Sequence, residues 1–209
     1  MQTCSFASQF TRFIILDNTT TLYRTIELSS GSQIEILVAT EEHVKYSAEV
    51  CLLIDDATKK RGTGIAKRTP DLIASKIRAR KAVIAISDGT VAGFVYLESW
   101  DSDKFVSNSG LIVNPNYRKL GVATQMKKVV FALCRERFPD AKIFGITTSL
   151  PVLKINTELG YKPVTFSELT QDEAFWKGCE GCRNFDILTR TSRSKCLCTG
   201  LLYDPETDA

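Results

Sequence analysis

The sequence has few of the features that mark nucleic-acid-binding, nucleotide-binding and membrane proteins. No apolar run in its 209 residues approaches the roughly 18 residues that a membrane-spanning helix requires. The net charge of +3, from 27 basic and 24 acidic residues, is too small to indicate a nucleic-acid partner. Neither a G-x-x-x-x-G-K-[ST] phosphate loop nor a G-x-G-x-x-G dinucleotide fingerprint occurs. We therefore expect neither nucleic acid nor a membrane as a partner.

The sequence near the N-terminus carries no recognisable secretion signal. Phe13 to Leu16 is an apolar patch there, and it is too short for the core of a signal peptide. We therefore expect a cytoplasmic protein. The seven cysteines should then be free thiols or metal ligands rather than disulfides.

Composition divides the chain into three predicted regions. Residues 1–33 are rich in serine and threonine and lack sustained periodicity, which favours a loosely attached N-terminal extension. Its flexibility stays open, as does an alternative with two short strands over residues 12–17 and 21–28. Residues 34–170 form the predicted domain, and residues 171–209 form a cysteine-containing segment packed on it.

The periodicity from residue 34 to residue 166 predicts the element order β-α-α-β-β-β-α-β-α-β. Thr69-Pro70 is a helix start, and Asp88-Gly89 is the turn of a hairpin. The strand over residues 105–113 is interrupted by polar residues at 107–109. An apolar stripe then predicts a long central helix, through Val122, Met126, Val129, Val130 and Leu133. We predict an α/β fold with a mixed, mostly antiparallel central sheet and helices on both faces.

The most informative segment is Leu111 to Thr124, with the sequence LIVNPNYRKLGVAT. A buried strand ends at Val113, and Arg-x-x-Gly-x-Ala leads into the long helix. Free backbone N–H groups at a helix N-terminus, together with the helix dipole, favour an anion. Arg118 and Lys119 add positive charge beside them, so the segment suits a diphosphate.

This segment closely resembles the acyl-CoA-binding motif of the GNAT superfamily of N-acetyltransferases, whose pattern is [QR]-x-x-G-x-[GA] after a strand. The element order over about 130 residues, from Ile34 to Phe166, is also similar to that fold. The segment SLPVLKINTELGY, from Ser149 to Tyr161, resembles the family's next helix. The resemblance therefore implies a GNAT-like acyl-CoA N-acyltransferase with acetyl-CoA as co-substrate.

The family resemblance implies a role for each part of the segment. Leu111 and Val113 would pair with the pantetheine arm like an added strand. The acyl thioester would lie where the strands over residues 105–113 and 142–148 splay, with a backbone N–H stabilising the oxyanion. The pyrophosphate would be cradled by Arg118, Lys119, Gly121, Val122, Ala123 and Thr124.

The chain departs from the family pattern where many members carry a tyrosine general acid. Asn156 holds that position, and Ser149 replaces the usual asparagine at the start of the helix. Asparagine cannot donate a proton at a useful pH. Tyr161 is an alternative acid, although a half-buried strand aromatic is the simpler interpretation, and a thiolate with a pKa of about 8.5 can also leave unaided.

The catalytic base is open between three carboxylates. Glu98, at the end of its strand, is the preferred candidate, and Asp101 and Asp103 in the following loop are alternatives. His43 is the only histidine, and its position in the capping turn of the first helix favours a structural role.

Four cysteines in the last segment have zinc-ligand spacing. Cys179 and Cys182 form a C-x-x-C pair, and Cys196 and Cys198 follow as C-x-C. A structural zinc ion and four reduced, partly buried thiols are both open, and the family resemblance supports neither.

Taken together, these features predict acyl transfer to the primary amine of a small molecule, by direct attack in a ternary complex. An α-amino group is favoured, because a base as weak as a carboxylate suits a less basic amine. Arg78, Arg80 and Lys81 hint at a carboxylate on the acceptor, although a solvated helix end explains them as well. The alternative is a non-catalytic acyl-CoA-binding or zinc-bearing interaction module. A homodimer stays open.

Overall fold

The computed structural model describes residues 11–16, 19–61 and 67–207, with side chains over 24–59 and 67–207. Its strands and α-helices are, in chain order, β1 (Thr11–Leu16), β2 (Thr19–Glu27), β3 (Gln33–Val38), α1 (Ser47–Arg61), α2 (Pro70–Arg78), β4 (Ala82–Ser87), β5 (Thr90–Trp100), β6 (Phe105–Val113), α3 (Val122–Arg137), β7 (Lys142–Thr147), α4 (Leu150–Glu158), β8 (Lys162–Val164), α5 (Glu173–Lys177), α6 (Phe185–Arg190) and β9 (Thr199–Tyr203). No helix in this part of the chain is long and apolar enough to cross a membrane.

The described strands form one nine-stranded sheet in the order β1-β2-β3-β4-β5-β6-β7-β9-β8. Every neighbouring pair is antiparallel except β6 and β7, which are parallel and joined through α3. A parallel pair needs a long crossover, and α3 supplies it. The predicted mixed, mostly antiparallel α/β fold is therefore confirmed.

Local sequence explains where two of these elements begin and turn. The Thr69 hydroxyl accepts a hydrogen bond from the Leu72 N–H at 3.2 Å, and Pro70 opens α2. Asp88 and Gly89 join β4 to β5 with φ angles of 47° and 73°. Positive φ at both positions is the geometry that a two-residue hairpin turn requires.

Helices cover both faces of the sheet. On one face, α3 packs its apolar stripe, including Met126 and Val130, against residues of β3 to β7. On the other face, α1 and α2 bury Ile54, Ile73 and Ile77 against β4 and β5. The sheet is thus held between two apolar layers, and its central strands are almost continuously buried.

A third cluster anchors the last part of the chain. Trp176 is 2 % exposed, and its indole N–H donates to the Thr170 carbonyl at 2.9 Å. Phe144 of β7 and Leu202 of β9 belong to the same cluster. Aromatic packing of this kind fixes a segment that has few strands or long helices of its own.

Two predicted boundaries require correction. The described part of residues 1–33 is not a separate extension, because β2 pairs with β3 from Glu27↔Gln33 to Tyr23↔Leu37. Residues 1–10 lie outside the described residues. Likewise, residues 171–209 do not merely pack on the domain, since β9 enters the sheet between β7 and β8. Both segments supply backbone hydrogen bonds that periodicity within residues 34–170 could not reveal.

Candidate functional site

The sheet opens between β6 and β7. Their parallel pairing runs only from Phe105↔Lys142 to Ser107↔Phe144. Beyond it, Gly110 and Leu111 stand opposite the single residue Val95 of β5, which makes a bulge in β6. Gly110 has a φ of 67°, and a β-carbon there would lie 2.7 Å from the Tyr96 ring. This bulge bends β6, and the rest of the strand lacks a described partner on the β7 side.

β6 leads from this opening to the N-terminus of α3. Gly121 caps that helix in the left-handed conformation, with a φ of 80° and no side-chain capping bond. The first N–H groups of the helix, on Val122, Ala123 and Thr124, therefore have no intrahelical acceptor. A β-carbon on Gly121 would meet nothing within 4 Å. The loop is exposed, with Arg118 and Lys119 beside it, and so presents donors and positive charge to open space.

A cavity of about 700 Å³ lies at the opening. Its walls include Asn108 and Leu111 of β6, Gly145 of β7 and Asn156 of α4. Asn156 is 2 % exposed, and its side-chain oxygen has no hydrogen-bond partner. A buried acceptor without a partner is costly. An amide N–H of an extended ligand would satisfy it, so the opening and the loop fit a pantetheine diphosphate.

Glu98 lines the same cavity, and its carboxylate already accepts hydrogen bonds from two lysines. It accepts a hydrogen bond from Lys81 Nζ at 2.6 Å and another from Lys76 Nζ. Protonating a carboxylate held by two ammonium groups would weaken two charge-assisted bonds. Glu98 as the base stays a prediction, and its contacts also suit a role in placing the two lysines.

The alternative acids and bases lie away from the cavity walls. Asp101 accepts a hydrogen bond from the Thr170 hydroxyl, and neither it nor Asp103 belongs to the cavity lining. Tyr161 is 1 % exposed, and its hydroxyl donates to Asn108 Oδ1 at 3.0 Å. Burial raises the pKa of Tyr161 well above 10, which makes it a weak proton donor. His43 accepts a hydrogen bond from the Thr40 N–H at 3.0 Å, a structural contact.

Lys127 is a site residue that sequence reasoning missed. It lies on α3, is 3 % exposed and lines the cavity at the opening. Its Nζ donates to Asn108 Oδ1 at 2.7 Å and lies 5.2 Å from the centre of the Tyr161 ring. Desolvation lowers its pKa to about 8. A lysine beside an apolar stripe ordinarily extends its ammonium group to solvent, so the sequence alone gives no reason to expect Lys127 to be buried. The one related signal in the sequence is the polar run at residues 107–109, which contains its partner Asn108.

The zinc site predicted at Cys179, Cys182, Cys196 and Cys198 is not supported. In the described part of the chain, no group of three or more histidine, cysteine or acidic side chains could hold a metal ion. The four thiols lie along one wall of the cavity and mostly pack on the third apolar cluster. Burial and neighbouring thiols raise the pKa of Cys179 to about 11 and of Cys198 to about 12. That environment favours neutral thiols over thiolate ligands.

The cavity wall is predominantly basic. Arg78 and Arg80 are not part of it, and Arg78 instead pairs with Glu41 at 3.2 Å. Lys81 contacts the cavity through Glu98. The charged side chains in the lining are five basic ones and two acidic ones, namely Lys67, Arg68, Lys76, Lys127 and Lys177, with Glu98 and Glu180.

Comparison with known proteins identifies a family that the chain resembles. Residues 52–151, just under half of the chain, match the model of the acetyltransferase (GNAT) family. The predicted family resemblance is thus confirmed. No curated protein matches the chain in sequence.

Solved structures share the fold at low sequence identity. An acetyltransferase of the GNAT family from Staphylococcus aureus is 16 % identical, with a TM-score of 0.59 over 82 % of this chain and 99 % of that one. Diaminobutyrate acetyltransferase from Paenibacillus lautus, solved with L-2,4-diaminobutyric acid and coenzyme A, is 10 % identical, with a TM-score of 0.57 over 84 % and 96 %. N-acetylglutamate synthase from Neisseria gonorrhoeae, solved with coenzyme A and N-acetyl-glutamate, is 15 % identical, with a TM-score of 0.59. That alignment covers 82 % of this chain, which spans 35 % of the synthase chain.

Proposed function

We propose that the protein is an N-acyltransferase that uses acetyl-CoA to acylate the amine of a small amino acid. The observation that carries this proposal is the opening between β6 and β7, which continues along β6 to the N-terminus of α3, where no side chain caps the backbone N–H groups. An extended thioester with a diphosphate at one end would fill that path. Bound coenzyme A in the similar structures from Neisseria gonorrhoeae and Paenibacillus lautus supports the same assignment.

The cavity wall supports the class of acceptor. Its basic excess favours an anion, and arginine and lysine are the side chains that bind a carboxylate. The acceptor amine must lose a proton before it attacks the thioester. An α-amino group, with a pKa of about 7.8, is deprotonated roughly 400-fold more easily than a lysine side chain at about 10.4. An amino acid meets both requirements.

In this mechanism the protein positions two substrates and stabilises charge. The amine attacks the thioester carbonyl directly, so no acyl group is transferred to the protein. Backbone N–H groups at the β6 bulge are the candidate donors for the oxyanion. The paired charges of Glu98 and Lys76 form the wall on the acceptor side.

The test is release of coenzyme A from acetyl-CoA in the presence of a panel of amines. The panel contains free amino acids, their amides without the carboxylate, and a lysine peptide with a blocked N-terminus. We expect turnover with one or more free amino acids and a large loss with the matching amide. Binding of acetyl-CoA in calorimetry without release by any amine would overturn the proposal and favour the non-catalytic acyl-CoA-binding module.

A further inference from the structure

Lys127 is a buried cation that has no carboxylate partner among the residues that the structure describes. A titratable neighbour among the described residues is the Cys134 thiol, about two turns along α3, and it is neutral at neutral pH. Burying an ammonium group without a counter-charge is costly, so such groups are rare unless another group compensates them. Its position in the cavity lining leaves room for a ligand to provide that compensation.

The surrounding contacts hold this ammonium group beside the opening. Nζ is held by the side chain of Asn108, which is the first β6 residue beyond the last pair with β7. Gly145 of β7 lies across the gap from Asn108, and a β-carbon on Gly145 would be 3.9 Å from the Asn108 carbonyl oxygen. The Tyr161 hydroxyl also donates to Asn108 Oδ1, so that acceptor fixes both donors. Two N–H bonds of the ammonium are left for other acceptors.

The groups facing Lys127 cannot supply an anion themselves. The titratable ones are Cys134 of α3 and Tyr161, which precedes β8. Burial raises the pKa of Cys134 to about 11 and that of Tyr161 well above 10. Both therefore hold their protons at neutral pH. The anion that this position fits is one that arrives or forms in the cavity.

We propose that Lys127 is a catalytic residue that pairs with the thiolate leaving the acyl donor and protonates it. This inference rests on the proposed function, because acyl transfer from a thioester is what creates a thiolate at the opening. The departing thiolate carries one negative charge on sulfur. The pKa of its thiol is close to that of a desolvated ammonium group. The proton transfer is therefore close to balanced, which is the condition for efficient general acid catalysis.

The step conserves atoms and electrons. When the tetrahedral intermediate collapses, the carbon–sulfur bond breaks and its electron pair passes to sulfur. A proton moves from Lys127 Nζ to sulfur and leaves a neutral amine. The acceptor nitrogen releases its proton to water, and Lys127 regains one from water. The net reaction converts one thioester and one amine into one amide and one thiol.

The decisive experiment compares Lys127→Met with Lys128→Met, a control on the neighbouring, partly exposed residue of α3 that does not line the cavity. Thermal melting and calorimetry with acetyl-CoA establish that each variant folds and binds the donor. We expect Lys127→Met to lower kcat about a hundredfold at neutral pH. We also expect it to remove the fall in kcat above about pH 8 that deprotonation of Lys127 causes in the parent. A kcat within twofold of the parent, or a reduced kcat with that alkaline fall intact, would overturn the proposal.

A binding measurement tests the same contact without turnover. The parent should prefer coenzyme A over desulfo-coenzyme A by about tenfold at mildly alkaline pH, because only the former offers a thiolate to the ammonium. Lys127→Arg, which keeps a cation, should retain the preference, and Lys127→Met should lose it. Equal preference in the parent and Lys127→Met would refute the contact. If the preference is lost as expected but no amine is acylated, the proposed function fails and the thiolate contact stands.

Discussion

The two ends of the cavity differ in whether their buried charged and polar groups have partners within the protein. At the end formed by Glu98, Lys76 and Lys81, a carboxylate accepts hydrogen bonds from two ammonium groups, so the protein satisfies its own charges. At the end formed by the β6–β7 opening, Lys127 has only neutral partners and Asn156 has an unpartnered oxygen. Where the polar groups already have partners, a ligand is selected by its shape and charge. Where a polar or charged group lacks a partner, a ligand that supplies one gains more binding free energy. We refer to these as the paired end and the open end.

The largest expected effect comes from blocking the path that leads to the open end. Gly121→Val places a β-branched side chain at a φ of 80°, in the space where backbone N–H groups face outward. Losing two charge-assisted hydrogen bonds should weaken coenzyme A binding roughly a hundredfold in calorimetry. Gly89→Val is the matched control, because its φ is 73° and it too has nothing within 4 Å, but it lies in the β4–β5 hairpin. Equal losses in both variants would show that backbone strain alone causes the effect.

A smaller effect is expected when the paired end is made to resemble the open one. Glu98→Gln leaves Lys76 and Lys81 without their counter-charge. We expect kcat/KM for the amine to fall about tenfold, through KM, with acetyl-CoA binding unchanged. Glu41→Gln removes an exposed ion pair with Arg78 and should leave both parameters as they are. Disappearance of the acidic limb of the pH profile in Glu98→Gln would instead assign Glu98 as the general base.

The smallest effect is the contribution that Lys127 makes to the slope of stability with pH, measured as a difference between two variants. Below about pH 8 the lysine at 127 is protonated in both folded and unfolded chains, and the cost of burying its charge is fully present. Between about pH 8 and pH 10.5 the unfolded chain holds a proton that the folded chain has lost, so stability rises with pH. The contribution is at most about 1.4 kcal/mol for each pH unit. The buried thiols of Cys134, Cys179 and Cys198 have raised pKa values and lower the stability as pH rises, so the test compares slopes. Denaturant unfolding across this range should give a more positive slope in Lys128→Met than in Lys127→Met. An identical slope in the two variants would contradict the buried, lowered pKa of Lys127.

Much of the fold followed from patterns within about fifteen residues. The cap at Thr69, the turn at Asp88-Gly89 and the stripe on α3 are local, and each of these elements formed where it was predicted. The membership of β2 and β9 in the sheet was missed because it depends on partners far along the chain. The strand Thr19–Glu27 pairs with β3, and Arg24 donates a hydrogen bond to Gln125 of α3 at 3.2 Å.

In the candidate site, too, local features could be predicted from the sequence and contacts between distant residues could not. The backbone geometry of the loop from Arg118 to Thr124 could be predicted, because it depends on the main chain and one glycine, and its binding of a pyrophosphate stays a prediction. Lys127 could not, because its burial is set by Asn108 and Tyr161, which are distant in sequence. Glu98 lines the cavity and its role as the base stays a prediction, and the two lysines that bind it come from α2 and the residue before β4. A sequence pattern describes one helix or strand at a time, whereas the partners of a buried charge come from several helices and strands.

The insertion of β9 between β7 and β8 carries a consequence for how the chain is made. β8 pairs with β9 and β7 pairs with β9, so β8 has no hydrogen-bonded neighbour in the described sheet until β9 arrives. During synthesis, β7 would present an unpaired margin while some fifty further residues are added. Exposed strand margins are templates for association with other chains. Nascent chains that stop short of Tyr203 should therefore aggregate more readily than the full chain, because β7 keeps an unpaired edge until β9 is added.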